Sequence, residues 1–251
     1  MKKTVLITGV FGGIGYATAK VFHQNGWKVI GVDRKKSEDK ENVIDLYIEQ
    51  DLCKPEQVNY IFDKIAVNYG RLDCLVNNAA IQVCKSIIET TEEEWDSVFA
   101  TNMKSIFLTV KNSYNLLRET RGAIVNISSV HAIATSKDIS AYAASKGAIL
   151  AFTRATALEF SDVGIRVNAV LPGAIDTQML REGLSRDHGI GGDIHERIEN
   201  LGLKHPSKKI GDPEEIGKTI YFLADNNQSS FITGQALIAD GGALAQLSTE
   251  T

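Results

Sequence analysis

The sequence predicts an α/β protein with one doubly wound parallel sheet of seven strands and helices on both faces, and three observations lead to this prediction. Seven short apolar segments alternate with helical patterns along the 251 residues. Most of these segments are apolar at nearly every position, which is typical of parallel strands covered on both faces. The length and the 43% hydrophobic content fit one well-buried domain better than two. We therefore expect a single domain over residues 1–251.

The predicted elements are short strands with helical stretches between most of them. The strands are residues 4–8, 28–32, 46–50, 73–77, 123–128, 165–171 and 236–239. The helices are about residues 14–25, 55–69, 92–118, 141–161 and 213–224. Two of these helices begin at a proline after a polar residue, at Lys54-Pro55 and Asp212-Pro213, which is a common helix start.

Charge and composition exclude several classes of partner. The net charge of -4 and the pI near 5.8, without a basic run, argue against nucleic acid and anionic membranes. The N-terminal apolar run is interrupted at Thr8, too early for a signal-peptide core or a membrane span. Cys53, Cys74 and Cys84 are odd in number and lack CxxC spacing, so neither disulfides nor a metal site is expected. We expect a cytoplasmic protein that acts on a small molecule.

Residues 176–211 form a polar segment after a predicted strand, at the edge where open α/β sheets bind ligands. We predict that this segment is a lid over the substrate. An ordinary solvated helical excursion is the alternative. The glycines that favour the lid are Gly183, Gly189, Gly191 and Gly192.

A turn with four glycines, Thr8-Gly-Val-Phe-Gly-Gly-Ile-Gly15, follows the first predicted strand and opens a helix. Gly9 permits a tight turn, Gly13 lets the backbone approach a pyrophosphate, and Gly15 lets the helix pack closely on the sheet. A purely structural turn needs only one or two glycines, so the pattern favours dinucleotide binding.

The second predicted strand is followed at once by Asp33, eighteen residues after Gly15. A carboxylate there accepts hydrogen bonds from an adenosine ribose and repels a 2′-phosphate, so we expect NAD, with NADP less favoured. Neighbouring cations soften that repulsion, and a turn-capping role for Asp33 is the alternative. Asp51 and Leu52, after the third strand, are predicted to border the adenine, unless Asp51 caps a helix.

Tyr142 and Lys146 are four residues apart and therefore share a helix face, and Ser129 lies thirteen residues before the tyrosine. The lysine ammonium is expected to lower the pKa of the phenol towards a working value. Ser129 and Tyr142 would then donate hydrogen bonds to an oxygen on which negative charge develops. An exposed helix pair and a serine that merely ends a strand are the alternatives.

These motifs occur in the order found in short-chain dehydrogenases/reductases, a family that the chain resembles over essentially its whole length. The matching residues are Thr8-Gly9-x3-Gly13-x-Gly15, Asp51-Leu52, Asn77-Asn-Ala-Ala80, Asn102, Ser129, Tyr142-x3-Lys146, Arg166-Val-Asn-Ala-Val-Leu-Pro-Gly173 and Thr177. The resemblance implies a Rossmann fold with Tyr142 as general acid or base, Ser129 polarising the reacting oxygen and Lys146 binding the nicotinamide ribose. It also implies that Asn102 helps to hold a proton-relaying water, although Asn102 read alone is also a candidate helix N-cap.

Further cofactor contacts are expected along the same edge of the sheet. They are Phe11, Ile14, Asn78, Ile175 and Thr177. Two positions depart from the family pattern, because Ala80 and Ala132 stand where glycine is common. Each methyl is tolerated if the local backbone dihedrals are ordinary.

The substrate is less well indicated. Ile81-Gln82 and Val130-His131 resemble substrate-binding positions of 3-hydroxybutyrate dehydrogenases, but their lysine is Ile139 here, and Lys137 is displaced by two residues. We list Gln82, Cys84 and His131 as substrate-binding candidates; the alternative is that Gln82 and His131 satisfy local backbone groups and Cys84 packs.

We expect the substrate to be a small polar secondary alcohol such as a polyol, sugar or hydroxy acid. A 3-oxoacyl thioester reductase using NADPH is the alternative, and a non-catalytic NAD-binding scaffold is a remote one.

The helical stretches 103–117 and 141–160 carry small or apolar residues around much of their circumference. The resemblance implies dimers or tetramers built on these two helices, with a further contact at Gly241-Gly-Ala-Leu-Ala. Burial of the same faces within one chain is the alternative.

Overall fold

The computed structural model describes residues 2–37, 43–185 and 192–247 and contains a parallel sheet whose strand order is β3-β2-β1-β4-β5-β6-β7. The strands are β1 (Thr4–Thr8), β2 (Lys28–Asp33), β3 (Leu46–Glu49), β4 (Cys74–Asn77), β5 (Ala123–Ile127), β6 (Arg166–Pro172) and β7 (Ala236–Ala239). All neighbouring pairs are parallel. The predicted single-domain, seven-stranded doubly wound fold is therefore confirmed.

Helices cover both faces of the sheet. They are α1 (Gly13–Gln24), α2 (Pro55–Tyr69), α3 (Glu92–Phe99), α4 (Ser105–Thr120), α5 (Ser140–Glu159), α6 (Gln178–Leu184), α7 (Ile194–Leu203), α8 (Pro213–Ala224) and α9 (Asn226–Ser229). One apolar cluster packs α2, α4 and α5 on the sheet, and a second packs α1 and α8 on the opposite face. The strands are apolar on both sides because both sides are covered.

The predicted long helix over 92–118 is in fact two α-helices joined by a π-helical turn at Ala100–Lys104. A capping box at Thr91 and Glu94 starts α3, and Arg121, in the left-handed region with φ 49°, ends α4. The π turn carries Asn102. Such turns inside α-helices occur frequently at functional sites.

The polar segment after β6 contains α6 and α7. A parallel bridge between Ile175 and Gly211 brings the two ends of this segment together. Of the glycines that favoured a lid, Gly189 and Gly191 lie outside the described residues. None of the helices in the described ranges is long and apolar enough to cross a membrane.

The chain reverses its direction of winding at β1, which lies between β2 and β4. Crossover connections leave the sheet on opposite sides at this point, and a crevice opens above the carboxyl ends of the strands. The predicted glycine turn follows β1, and Asn78 follows β4. The topology therefore brings these two motifs to one place.

Candidate active site

A cleft of about 990 Å³ lies above the carboxyl ends of the strands. Fourteen of the predicted site residues border it: Gly9, Phe11, Gly13, Ile14, Asp33, Asp51, Leu52, Asn78, Ser129, His131, Tyr142, Lys146, Ile175 and Thr177. Gly15, Gln82, Cys84 and Asn102 do not border it. The topology thus gathers motifs that are up to 168 residues apart, from Gly9 to Thr177.

The glycine turn is packed too closely for side chains. Gly9 has a φ of +62°, and a Cβ on it would lie 2.8 Å from the Ala79 Cα atom. A Cβ on Gly15 would lie 2.2 Å from the Gly9 carbonyl oxygen, and one on Gly13 would lie 2.6 Å from the Thr177 methyl group. The sequence-based roles of Gly9 and Gly15 agree with these contacts, whereas Gly13 makes room for Thr177.

Helix α1 starts at this turn without any capping side chain and without an acidic residue in its first turn. By contrast, α3 and α8 both begin with complete capping boxes. An uncapped N-terminus presents backbone N–H groups and the positive end of the helix dipole, which together suit a phosphate.

Asp33 ends β2 at the rim of the glycine turn. Its Oδ2 accepts a hydrogen bond from the Phe11 N–H at 3.1 Å, and its Oδ1 accepts one from the Arg34 N–H at 2.8 Å. Each carboxylate oxygen has a further lone pair, so the group is held in place and can still accept hydrogen bonds from a ligand.

Asp51 borders the cleft and closes a short turn by accepting a hydrogen bond from the Cys53 N–H at 3.0 Å. The N-cap of α2 is Lys54, which makes no side-chain capping bond. The alternative that Asp51 caps this helix is therefore wrong.

The side chains of the two predicted asparagines both form hydrogen bonds with backbone groups. Asn78 donates from its amide to the carbonyls of Thr8 and Gly9, each at 3.0 Å, and so holds the glycine turn against the end of β4. Asn102 accepts a hydrogen bond from the Ile81 N–H and donates to the Ile81 carbonyl, both at 2.9 Å. Since Asn102 lies inside the π turn, the N-cap alternative is wrong.

Tyr142 and Lys146 lie on one face of α5, with the Lys146 Nζ 5.4 Å from the centroid of the Tyr142 ring. Both residues are buried, at 8% and 2% exposure, so they are not an exposed helix pair. Lys146 donates a hydrogen bond to the Ile127 carbonyl at 2.8 Å, and the Ser129 hydroxyl is close enough to Tyr142 to lower the pKa of its phenol. The three polar groups therefore meet at the end of β5.

Neighbouring Ser128 has a different contact, because its hydroxyl donates to the Lys146 carbonyl at 2.8 Å. Ser128 thus ties α5 to β5, while Ser129 faces the tyrosine. Ala80 and Ala132 are absent from the positive-φ residues of the described chain, so neither position requires glycine.

The substrate candidates have protein partners of their own. Gln82 donates to the Met179 carbonyl in α6 at 2.6 Å, and the His131 Nδ1 lies 2.9 Å from the Thr135 hydroxyl. The His131 ring meets the Tyr142 ring edge to face, with centroids 5.9 Å apart. Cys84 is partly buried and close enough to Tyr142 to affect its ionisation. Gln82 therefore matches the alternative of satisfying a backbone group, although in a distant segment.

Comparison with known proteins identifies the family. A family profile described as "Enoyl-(Acyl carrier protein) reductase" matches residues 9–243. The 3-oxoacyl-[acyl-carrier-protein] reductase of Thermotoga maritima is 35% identical over 96% of this chain and 97% of its own. The chain is a short-chain dehydrogenase/reductase. Like others of its family, it is an oxidoreductase that uses a nicotinamide cofactor and acts on CH–OH groups.

Two solved structures of this family are similar to the chain over nearly its full length. The ligand-free aldohexose dehydrogenase of Thermoplasma acidophilum has a TM-score of 0.92 at 35% identity, covering 98% of this chain and 96% of its own. ElxO with NADP bound has a TM-score of 0.86 at 34% identity, covering 98% and 100%.

Burial controls the ionisation of the central pair in this short-chain dehydrogenase/reductase. It raises the pKa of Tyr142 to about 12, against a lowering effect of the Ser129 hydrogen bond, and it lowers the pKa of Lys146 to about 7. We expected Lys146 to lower the pKa of the phenol, and in the protein alone this does not occur. Desolvation disfavours both charged forms, so the ammonium on which that expectation depended is itself destabilised.

Sequence reasoning missed three features of the site. Ser145 accepts a hydrogen bond from the Asn102 amide at 3.0 Å and donates to the Tyr142 carbonyl at 2.7 Å, so it connects the π turn to α5. Cys53 and His205 border the cleft. The spacing of Ser145, three residues after Tyr142 on one helix, was a usable signal; the other two residues had none.

The pKa of Lys146 predicts how stability depends on pH. Between about pH 7 and pH 10.5 the unfolded chain binds a proton at Lys146 that the folded chain has released. The unfolding free energy of the wild type should therefore rise relative to that of Lys146→Met by up to about 1.4 kcal/mol per pH unit, and the difference should stay constant at lower pH.

Urea unfolding of both proteins from pH 5 to pH 9.5, at one protein concentration, measures this difference. The upper limit keeps Tyr142 protonated in both states or nearly so, since its pKa is raised to about 12 by folding. A difference that does not change between pH 7 and pH 9.5 would show that Lys146 keeps an ordinary pKa.

Proposed function

We propose that the protein interconverts a small polar secondary alcohol and its ketone, with Asn102, Ser129, Tyr142 and Lys146 as the catalytic residues. The buried contact of Tyr142 with Ser129 and Lys146 carries the proposal. Nothing in a simple binding protein requires a lysine and a tyrosine to be buried together at the end of a cleft, since both lose hydration. This argues against a non-catalytic NAD-binding scaffold.

The cleft fits a dinucleotide. The glycine turn has no room for side chains, α1 presents uncapped N–H groups, and the Asp33 carboxylate is held at the rim. The proposed cofactor contacts are Gly9, Phe11, Gly13, Ile14, Gly15, Asp33, Asp51, Leu52, Asn78, Tyr142, Lys146, Ile175 and Thr177. When bound, a nicotinamide dinucleotide supplies or accepts the hydride.

Tyr142 and Ser129 act on the substrate oxygen. In reduction, negative charge develops on this oxygen, and two hydroxyl donors that are already buried stabilise it without reorganisation. The raised pKa of Tyr142 keeps its phenol protonated at neutral pH, so it can transfer that proton to the oxygen. In oxidation, the same group removes the proton, and a cationic Lys146 favours the phenolate.

Asn102 supports the tyrosine indirectly, through the hydrogen bonds that it makes with neighbouring segments. Its amide holds Ile81 and Ser145, and Ser145 holds the first turn of α5 through the Tyr142 carbonyl. The π turn is what places this amide between the two segments.

The substitution Tyr142→Phe should lower kcat about a hundredfold to ten-thousandfold, because it removes the proton that is transferred and leaves the ring in place. Cofactor affinity, measured by NADH fluorescence, should change little. Turnover is measured by absorbance at 340 nm with a panel of secondary alcohols, polyols and hydroxy acids.

Tyr114→Phe is a matched control, since Tyr114 packs on Phe160 with ring centroids 5.2 Å apart and lies away from the cleft. It should retain turnover. If Tyr142→Phe also turned over at the wild-type rate, the assignment of Tyr142 would be wrong.

We propose NAD as the preferred cofactor, because Asp33 lies at the rim where a 2′-phosphate would approach a carboxylate. NADP is the less favoured choice, supported by the NADP-bound relative and by Arg34, which also borders the cleft.

The substitution Asp33→Asn should shift the ratio of NADPH to NADH affinity about fivefold or more towards NADPH, since it removes a like-charge repulsion worth at least about 1 kcal/mol. The asparagine oxygen still accepts the Phe11 N–H hydrogen bond, so the turn is preserved. Fluorescence titrations give both affinities, and Asp51→Asn, beside the proposed adenine site, should leave the ratio unchanged. A wild-type preference for NADPH would contradict the proposal.

A 3-oxoacyl thioester reductase using NADPH is the second candidate. The Thermotoga maritima relative favours it, and the family description shares with it only an acyl-carrier substrate, whereas the aldohexose dehydrogenase favours a polyhydroxylated substrate. Acetoacetyl-coenzyme A with NADPH and a polyol panel with NAD separate the two in one set of assays.

We propose that residues 176–211 cover the bound substrate. Gln82 holds α6 through Met179, and Thr177 packs over Gly13, so this segment is attached to both ends of the cleft. Gln82, Cys84 and His131 are the proposed substrate contacts in the loops beneath it.

We also propose a homo-oligomer built on α4 and α5. Four small or apolar residues on one face of α5 are exposed in the single chain: Ala144, Ala151, Ala155 and Leu158. Phe107 on α4 is 47% exposed. These faces are therefore only partly used by packing within the chain.

Sedimentation velocity at several concentrations should give a dimer or tetramer for the wild type. Leu158→Asp should reduce the mass of the sedimenting particle, because association would bury a carboxylate without a partner in the interface. Val67→Asp, at a residue 85% exposed on α2, should leave it unchanged. A monomeric wild type would refute the proposal.

A further inference from the structure

His205 follows α7 and borders the same cleft as Tyr142. It is 7% exposed, and it is the buried one among the histidines of the described ranges. A histidine in a loop after a polar helix is ordinarily exposed, so its burial against a cleft needs an explanation. The established family chemistry does not use it.

One ring nitrogen of His205 is already engaged. Its Nδ1 lies 2.8 Å from the Leu201 carbonyl oxygen. A carbonyl oxygen only accepts hydrogen bonds, so Nδ1 carries a hydrogen, and in the neutral ring Nε2 is an acceptor. Among the described residues the His205 side chain has this one hydrogen bond, through Nδ1, and no buried side-chain nitrogen or oxygen lacks a partner, so Nε2 keeps contact with solvent. The cleft is the open space that the ring borders.

The cleft lining that comes from the segment of His205 and from the loop after β5 is mostly apolar. The apolar cleft residues contributed by α6, α7 and the loop after β5 are Val130, Met179, Leu180, Leu184 and Leu201. Arg181 is paired with Asp176 at 2.7 Å. Lys137, the residue displaced from the position that would meet a carboxylate, is exposed and does not border the cleft. An apolar lining with its nearby arginine already paired favours a neutral ligand over a carboxylate.

The geometry points to His205 as a specificity-determining residue whose Nε2 accepts a hydrogen bond from a substrate hydroxyl other than the reacting one. The substrate class is then a neutral polyhydroxylated secondary alcohol, such as a polyol or an aldose, in preference to a hydroxy acid or an alcohol with a single hydroxyl. A site with a buried acceptor discriminates against analogues that lack the donor. This inference rests on the proposed function, because it assumes that Tyr142 and His205 contact one substrate.

Two substitutions isolate Nε2. His205→Asn keeps an amide N–H where Nδ1 was, so the bond to Leu201 is retained and Nε2 is lost. His205→Gln keeps a polar group near the position of Nε2. We expect His205→Asn to raise the KM for D-sorbitol and D-glucose about tenfold and to leave the KM for cyclohexanol unchanged. His205→Gln should recover part of the loss.

Calorimetric titration of D-sorbitol into the enzyme with NADH gives a second readout that needs no turnover. The wild type should bind the polyol about tenfold more tightly than His205→Asn. Equal affinities of the two proteins for D-sorbitol, no binding of D-sorbitol to the wild type, or an equal loss of kcat/KM for sorbitol and cyclohexanol would each overturn the role of His205. Absence of turnover with every alcohol would refute the proposed function instead, while the affinity difference would still decide the role of His205.

Discussion

A chain of four hydrogen-bonded, buried side chains holds helix α5 to the sheet, and the rest of the candidate site depends on it. Thr109 in α4 donates to Asn77 at 2.7 Å, Asn77 donates to Asn126 at 2.8 Å, and Asn126 donates to Thr153 in α5 at 3.0 Å. The two asparagines are register partners on β4 and β5. Leaving one of these buried groups unpaired costs about 1–3 kcal/mol, so the chain of bonds fixes both helices relative to the strands. These hydrogen bonds therefore also fix the positions of Tyr142 and Lys146 on α5.

Burial at the end of β5 works against stability and in favour of the proposed chemistry. Lys146 has one carbonyl partner there, and its desolvation favours the neutral amine at a cost to folding. The same desolvation keeps the phenol of Tyr142 protonated. A group that can give up or take a proton must not be locked in one form by a strong ion pair, and here no carboxylate is among the causes that shift either pKa. The site therefore relies on the surrounding packing for its stability.

The sequence predicted the sheet and the motifs well because both depend on local patterns. Continuous apolar runs located all seven strands, and the glycine spacing located the turn that Gly9 and Gly15 require. Long-range contacts were not predictable in this way. The π turn at Ala100–Lys104 has the composition of an ordinary helix, and its position becomes meaningful only when Asn102 meets Ile81. Likewise, the expected shift in the pKa of Tyr142 was downward, and the burial that raises this pKa instead is a property of the folded chain.

Specificity in this architecture is separated from the chemistry by topology. The proposed reacting groups lie on α5 and just after β5, where buried hydrogen bonds hold the helix to the sheet, whereas His205, Met179 and Leu201 come from the segment after β6. Gln82 donates a hydrogen bond from its amide nitrogen to the Met179 carbonyl, so it positions that segment. The same amide nitrogen is then less available for a hydrogen bond to a substrate. His205 differs because one ring nitrogen bonds the Leu201 carbonyl of its own helix, and the other is the atom that we propose for the substrate. A relative with the same core can therefore change substrate by replacing residues in this segment alone, which is how one fold serves many oxidoreductases.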